Sequence, residues 1–67
     1  MNNNFLQNPM RILTGYEKII LIDYYYHSKT NLHSILVEDL IATSLKAKIG
    51  DIICIYEPKG QVYRLVT

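Results

Sequence analysis

Residues 50–67 read GDIICIYEPKGQVYRLVT, and this stretch restricts the fold more than any other part of the chain. It divides into a Gly-Asp turn, a strand over Ile52–Glu57, a Pro58-Lys59-Gly60 turn and a returning strand over Val62–Val66. In the first strand Ile52, Ile53, Cys54 and Ile55 are consecutive apolar residues. A half-solvated strand alternates apolar and polar positions, so an unbroken run needs cover on both sides. Either both faces are covered within the fold, or the strand lies between a helix and a partner. Nothing in the hairpin is chemically reactive.

The upstream elements follow from caps and periodicity. Thr14-Gly15-Tyr16-Glu17 has the form of a capping box, in which the Thr14 hydroxyl accepts the Glu17 amide and the Glu17 carboxylate returns to Thr14. The helix begun there is expected to reach about Tyr26, a length of roughly 18 Å. Its core stripe is Lys18 (by its aliphatic stem), Leu21, Ile22 and Tyr25. Ile19, Ile20, Tyr24 and Tyr26 fall outside that stripe, so the helix is apolar around most of its circumference. That surplus is either a wide core contact or the seat of another protein chain. Before the helix, Phe5–Leu13 is interrupted by Pro9, which cannot donate to a ladder; an irregular edge strand and an extended arm both remain open. Met1–Asn4 is polar and expected to fray.

After the first helix, Ser28–Asn31 reads as a polar turn and Leu32–Val37 as a strand. Asp39 reads as the N-cap of a short helix, Leu40–Leu45, with Lys46 and Lys48 offsetting the dipole at its far end. The expected fold class is α+β: a two-layer β-α-β-α-β-β mini-domain with a small mixed sheet, one domain over residues 1–67.

Composition narrows the function classes. A 67-residue chain buries only roughly 60% of its unfolded surface, so it is expected to need a metal, disulfides or a partner for robustness. Cys54 is the single cysteine, which excludes an internal disulfide and a thiolate zinc cluster; its Ile-rich surroundings make it a buried structural thiol in a reducing compartment. Net charge is +1, which makes no general case for nucleic-acid binding. Lys46, Lys48, Lys59 and Arg64 read as a modest basic cluster near the hairpin, sufficient only for weak backbone contacts. Hydrophobic residues make up 49% of the chain, more than a small core holds, so apolar surface is expected to meet another protein. The longest apolar run, Ile19–Ile22, is too short for a bilayer, and the N-terminus lacks the pattern of a secretion signal; neither membrane nor export is expected.

The chemistry-bearing residues do not converge. His27 and His33 flank a turn and have only Asp23, Glu38 or Asp39 as further ligands, so they read as exposed turn histidines. Tyr24-Tyr25-Tyr26 point in different directions on a helix and make no stacking platform. Gly15, Gly50 and Gly60 are scattered turn residues, not a phosphate loop. No Ser or Cys has a base at a recognisable spacing. No catalytic residue, cofactor or metal site is expected, and the chain is not an enzyme by itself.

Taken together, Tyr25, Leu32, Ile35, Asp39, Leu45, Ala47-Lys48, Gly50-Asp51-Ile52-Ile53, Ile55 and the closing Tyr63-Arg64-Leu65-Val66 form a recognisable order. From Leu13 onward the chain resembles a family of small archaeal DNA-directed RNA polymerase subunits. That family is similar to the C-terminal assembly domain of the fifth subunit shared by eukaryotic polymerases. The most specific part is Ala-Lys-x-Gly-Asp followed by a terminal Tyr-Arg-Leu-Val. Departures are His33 and Leu40 at two proline positions, Lys46 at the helix-ending glycine, Glu57 at an arginine, and a loop shortened to Pro58–Gly60. They suggest a divergent relative, such as one from a large DNA virus or another AT-rich genome.

The resemblance implies a non-catalytic polymerase subunit that docks on the largest subunit near where downstream DNA enters, and touches DNA only indirectly or weakly. It implies an intracellular location: cytoplasm, nucleus or virion. The candidate partner-binding residues are Tyr63, Arg64, Asp39, Gly50, Asp51, Ile19 and Ile20. A second resemblance, carried by Leu45–Ile55, is to swapped-hairpin dimeric DNA-binding regulators and antitoxins, which would bind DNA directly.

Overall fold

The computed structural model describes residues 8–26 and 32–67. Of the two readings of the segment around Pro9, the edge strand forms: β1 is Met10–Ile12. Phe5, Leu6 and the expected frayed end at Met1–Asn4 lie outside the described residues. The chain then turns into α1 (Gly15–Leu21) through the capping box: the Glu17 amide donates to Thr14 Oγ1 at 3.2 Å and the Thr14 amide to Glu17 Oε1 at 2.9 Å. Helix continues to Tyr26, but Ile22–Tyr26 is wound as a π turn. The stripe is as read where it is described: Leu21 is buried and Ile22 packs beside it. Lys18 lays its stem along the fold and donates from Nζ to the Gly50 carbonyl at 2.9 Å.

The expected turn at Ser28–Asn31 lies outside the described residues. β2 is His33–Ile35, shorter than the expected Leu32–Val37. Leu32 is buried in the core, and past Leu36 the chain bends so that the Asp39 amide reaches the Leu36 carbonyl at 2.9 Å. Asp39 caps α2 (Leu40–Ser44), its Oδ1 accepting the Ile41 amide at 2.9 Å. β3 is Ile52–Glu57 and β4 is Gly60–Val66. Gly60 is already paired with Glu57, so the hairpin loop is only Pro58-Lys59 and β4 starts two residues earlier than expected.

The four strands form one sheet in the order β1-β3-β4-β2. β3 is antiparallel to both neighbours and β2 runs parallel to β4, which makes the sheet mixed. Strand parity sorts the core. Ile52 and Cys54 face α1 together with Tyr56, Tyr63 and Leu65, around Leu13, Leu21 and Leu32. Ile53 and Ile55 face the other way, with Val66 and Ala42, Ile41 and Leu45 from the α2 region. The α+β class and mixed sheet are as expected, with the sheet lying between the two helices rather than under a single helical layer. That arrangement explains the unbroken run in β3: Ile52, Ile53 and Cys54 are each no more than 1% exposed, and Cys54 is a buried structural thiol.

The sequence signature before β3 closes two junctions. At the end of α2 the Ala47 amide donates to the Ala42 carbonyl and the Lys46 amide to the Thr43 carbonyl, the paired bonds of a Schellman motif. That motif needs a left-handed residue, and Lys46 supplies it at φ 59°. A side-chain-bearing residue there costs on the order of 1 kcal/mol. Lys46→Gly, which restores the glycine of the related pattern, is expected to raise stability by about 0.5–1 kcal/mol in a urea titration.

The next turn spans Lys48–Asp51. The Asp51 amide donates to the Lys48 carbonyl at 2.9 Å, and Asp51 Oδ2 accepts the Lys48 amide at 2.8 Å. Gly50 sits in this turn at φ 99°, where a Cβ is disfavoured. Its amide bonds the Val66 carbonyl at 2.9 Å, and the Val66 amide bonds the Asp51 carbonyl at 2.8 Å. Ala-Lys-x-Gly-Asp is thus a structural signature that joins α2 to the end of the last strand.

Candidate partner-docking surface

The seven candidate residues do not converge on one surface. Tyr63 stands opposite Cys54 and so faces α1. Arg64, next along the strand, stands between Ile53 and His33 and faces the α2 side. Alternation along a strand forbids the two from meeting one flat partner surface together. Asp39 lies at the start of α2, and Gly50 and Asp51 lie in the turn before β3, each engaged in the local bonds above.

Two candidates do meet. A depression of about 240 Å³ opens between α1 and the sheet, lined by Arg11, Leu13, Glu17, Ile20, Leu21, Cys54, Gln61 and Tyr63. Ile20 and Tyr63 are brought together here from positions far apart in sequence. The Tyr63 hydroxyl donates to Gln61 Oε1 at 2.8 Å at its edge. On the outer side of α1 and of the π turn that continues it, Tyr16, Ile19 and Tyr24 are 74%, 60% and 75% exposed. Of the surplus apolar residues expected from the sequence, Ile19 and Tyr24 are therefore on the outside, while Ile20 is half-buried beside the depression.

The charged rim of the depression was not legible in the sequence. Arg11 on β1 grips Glu17 with two guanidinium nitrogens, Nη1 to Oε1 at 2.8 Å and Nη2 to Oε2 at 2.7 Å, while its Nε donates to the Tyr56 hydroxyl at 2.9 Å. The residues stand six apart across a strand-to-helix corner, so neither the strand period nor the helix period pairs them. Arg11, then the Thr14 amide, hold the Glu17 carboxyl down at about 2, and Glu17 followed by Tyr56 hold Arg11 more firmly charged. A folded-state value below the ordinary 4.5 means that the contribution is complete above that pH and is lost as pH falls toward 2. Glu17→Gln is expected to flatten the acid limb of the stability curve across this window, and the gap between the two proteins to close near its lower end.

His33 is exposed as expected, but it lies in strand β2 rather than a turn, and His27 lies outside the described residues. The basic residues do not cluster at the hairpin. Lys59 is at its tip, whereas Lys46 and Lys48 lie beyond the opposite end of β3, roughly 20 Å away along the strand. Among the described residues no three or more His, Cys, Asp or Glu side chains gather as a metal site, and no helix is long and apolar enough to cross a membrane.

The hairpin is fully paired within its own chain and flanked by β1 and β2, which gives the swapped-hairpin resemblance no support. Comparison with curated proteins finds no match. The family model for RNA polymerase Rpb5, C-terminal domain, matches residues 1–67. With its whole length matched, and its Lys-x-Gly-Asp and Tyr-Arg-Leu-Val segments joined at one end of a mixed four-stranded sheet, the chain belongs to the Rpb5 C-terminal domain family of RNA polymerase subunits.

Proposed function

We propose that the chain is a non-catalytic small subunit of a multisubunit DNA-dependent RNA polymerase, docking on the largest subunit near where downstream DNA enters and supporting assembly and transcription. The single observation that carries this reading is the family match across the whole chain. The physical character of the domain supports it. The net charge is only +1, and large apolar residues stand exposed on α1. Such a surface suits burial against protein better than contact with a nucleic-acid backbone.

In this reading Ile19, Ile20 and Tyr63 meet the partner on the α1 side, and Arg64 meets it from the other face of β4. Asp39, Gly50 and Asp51 hold the intervening backbone in shape. DNA is touched indirectly or by weak backbone contacts, and the protein is found wherever its polymerase works inside the cell. Replacing Tyr63 and Arg64 together by Ala is expected to release a tagged chain from purified polymerase as salt is raised. Full retention at high salt would remove those two residues from the interface.

A further inference from the structure

The outer edge of β1 carries backbone groups that no other described residue uses. The Leu13 amide donates to the Ile52 carbonyl at 2.9 Å, and the Tyr56 amide donates to the Pro9 carbonyl at 2.9 Å. With Met10, Arg11 and Ile12 opposite Ile55, Cys54 and Ile53, these bonds set the parity of the ladder. Residues 9, 11 and 13 turn their backbone groups toward β3; Met10 and Ile12 turn theirs away. β1 is terminal in the sheet order, and among the described residues no further strand lies beyond it. Two amides and two carbonyls thus line the outer side of β1.

The side chains along this edge define what fits beside it. Met10 and Ile12 belong to the α2-side cluster and are half-buried. α2 has only five residues, roughly 7.5 Å of helix, and its buried Ala42 packs with Ile53 and Val66 at the centre of the sheet. Apolar surface at the β1 margin is therefore incompletely covered. On the other face Arg11 presents an exposed guanidinium already held by Glu17 and Tyr56. A second copy of the chain, paired antiparallel about Arg11, would set two guanidinium groups side by side, which disfavours self-pairing in that register.

We infer that the outer edge of β1 receives an extended strand from the polymerase partner, which adds a fifth strand to the sheet through the backbone groups of Met10 and Ile12. That strand alternates: apolar side chains beside Met10 and Ile12, and a polar one beside the Arg11–Glu17 pair. This inference rests on the docking reading above and names the contact by which docking is made.

The test is hydrogen exchange on the full chain, free and bound to polymerase core. In the free chain the Met10 and Ile12 amides exchange quickly, while those of Arg11 and Leu13 are slow. In the complex the Met10 and Ile12 amides are expected to slow tenfold or more. A complex that forms with those two amides unchanged overturns the edge contact but leaves docking intact. Absence of any complex overturns docking and this inference together. Slowing that appears in the chain alone as its concentration rises identifies a second copy as the occupant and overturns the inference. A synthetic full-length chain N-methylated at Ile12 provides the second measurement, because the methyl removes an outward donor without altering a side chain. Retention on the core is expected to fall tenfold or more with the circular dichroism unchanged, and undiminished retention overturns the contact.

Discussion

Ile53→Ala is expected to lower stability by about 3 kcal/mol and the midpoint of thermal unfolding by more than 10 °C. Ile53 has no exposed surface and lies in the α2-side cluster with Ala42 and Val66, which are equally enclosed. The substitution removes a branched side chain from the middle of the sheet and leaves a cavity that must collapse. Neither β3 nor α2 is free to close it: β3 is paired on both sides, and α2 is anchored by the Asp39 cap at one end and the Schellman bonds at the other. A domain of this size is expected to hold only several kcal/mol in total, so the loss takes much of the margin. Chemical denaturation of the two proteins side by side measures it. A loss below about 1 kcal/mol would mean that α2 does not seal this face.

Ile19→Glu is expected to have the opposite profile, with little effect on stability and a large effect on association. Ile19 is 60% exposed on the outer side of α1, where substitutions change stability by about 0.5 kcal/mol or less. If this face docks on the polymerase, a carboxylate there must lose its water on binding with no partner provided for it. Retention is then expected to fall at least tenfold, about 1.4 kcal/mol, while the thermal midpoint of the isolated chain stays in place. Equal retention of variant and parent would take Ile19 out of the interface.

Much of the fold was legible because local chemistry and tertiary structure agree. Thr14 and Glu17, Asp39, and the apolar run of β3 each have a local physical consequence, and each forms as read. What escaped was set by the third dimension. Strand order cannot be read from strand existence, so the division of the helices between the two faces was hidden. The assigned pairs of β2 run from His33 opposite Arg64 to Ile35 opposite Val66, and the Val37 amide still donates to the Thr67 carbonyl at 2.8 Å, so the extent of this strand is set by its neighbour in the sheet. The Arg11–Glu17 grip depends on a corner rather than a period.

The candidate site was less legible than the fold. Tyr63 and Arg64 are adjacent in sequence and opposite in space, a consequence of strand alternation that applies as soon as β4 is taken as a strand. Gly50 and Asp51 mark the signature of the family, yet their bonds are to the chain's own backbone, so the signature reports architecture. The apolar outside of α1 was visible as a surplus. Whether that surplus was core or surface depended on where the sheet lay.

The most direct measurement is mass spectrometry of what a tagged full-length chain retains through affinity capture and gel filtration at high salt. The expected result is co-elution with both largest polymerase subunits in equal amounts. Recovery of a chain dimer that shifts DNA, with neither large subunit present, would contradict the assignment of this domain as a docking subunit of RNA polymerase.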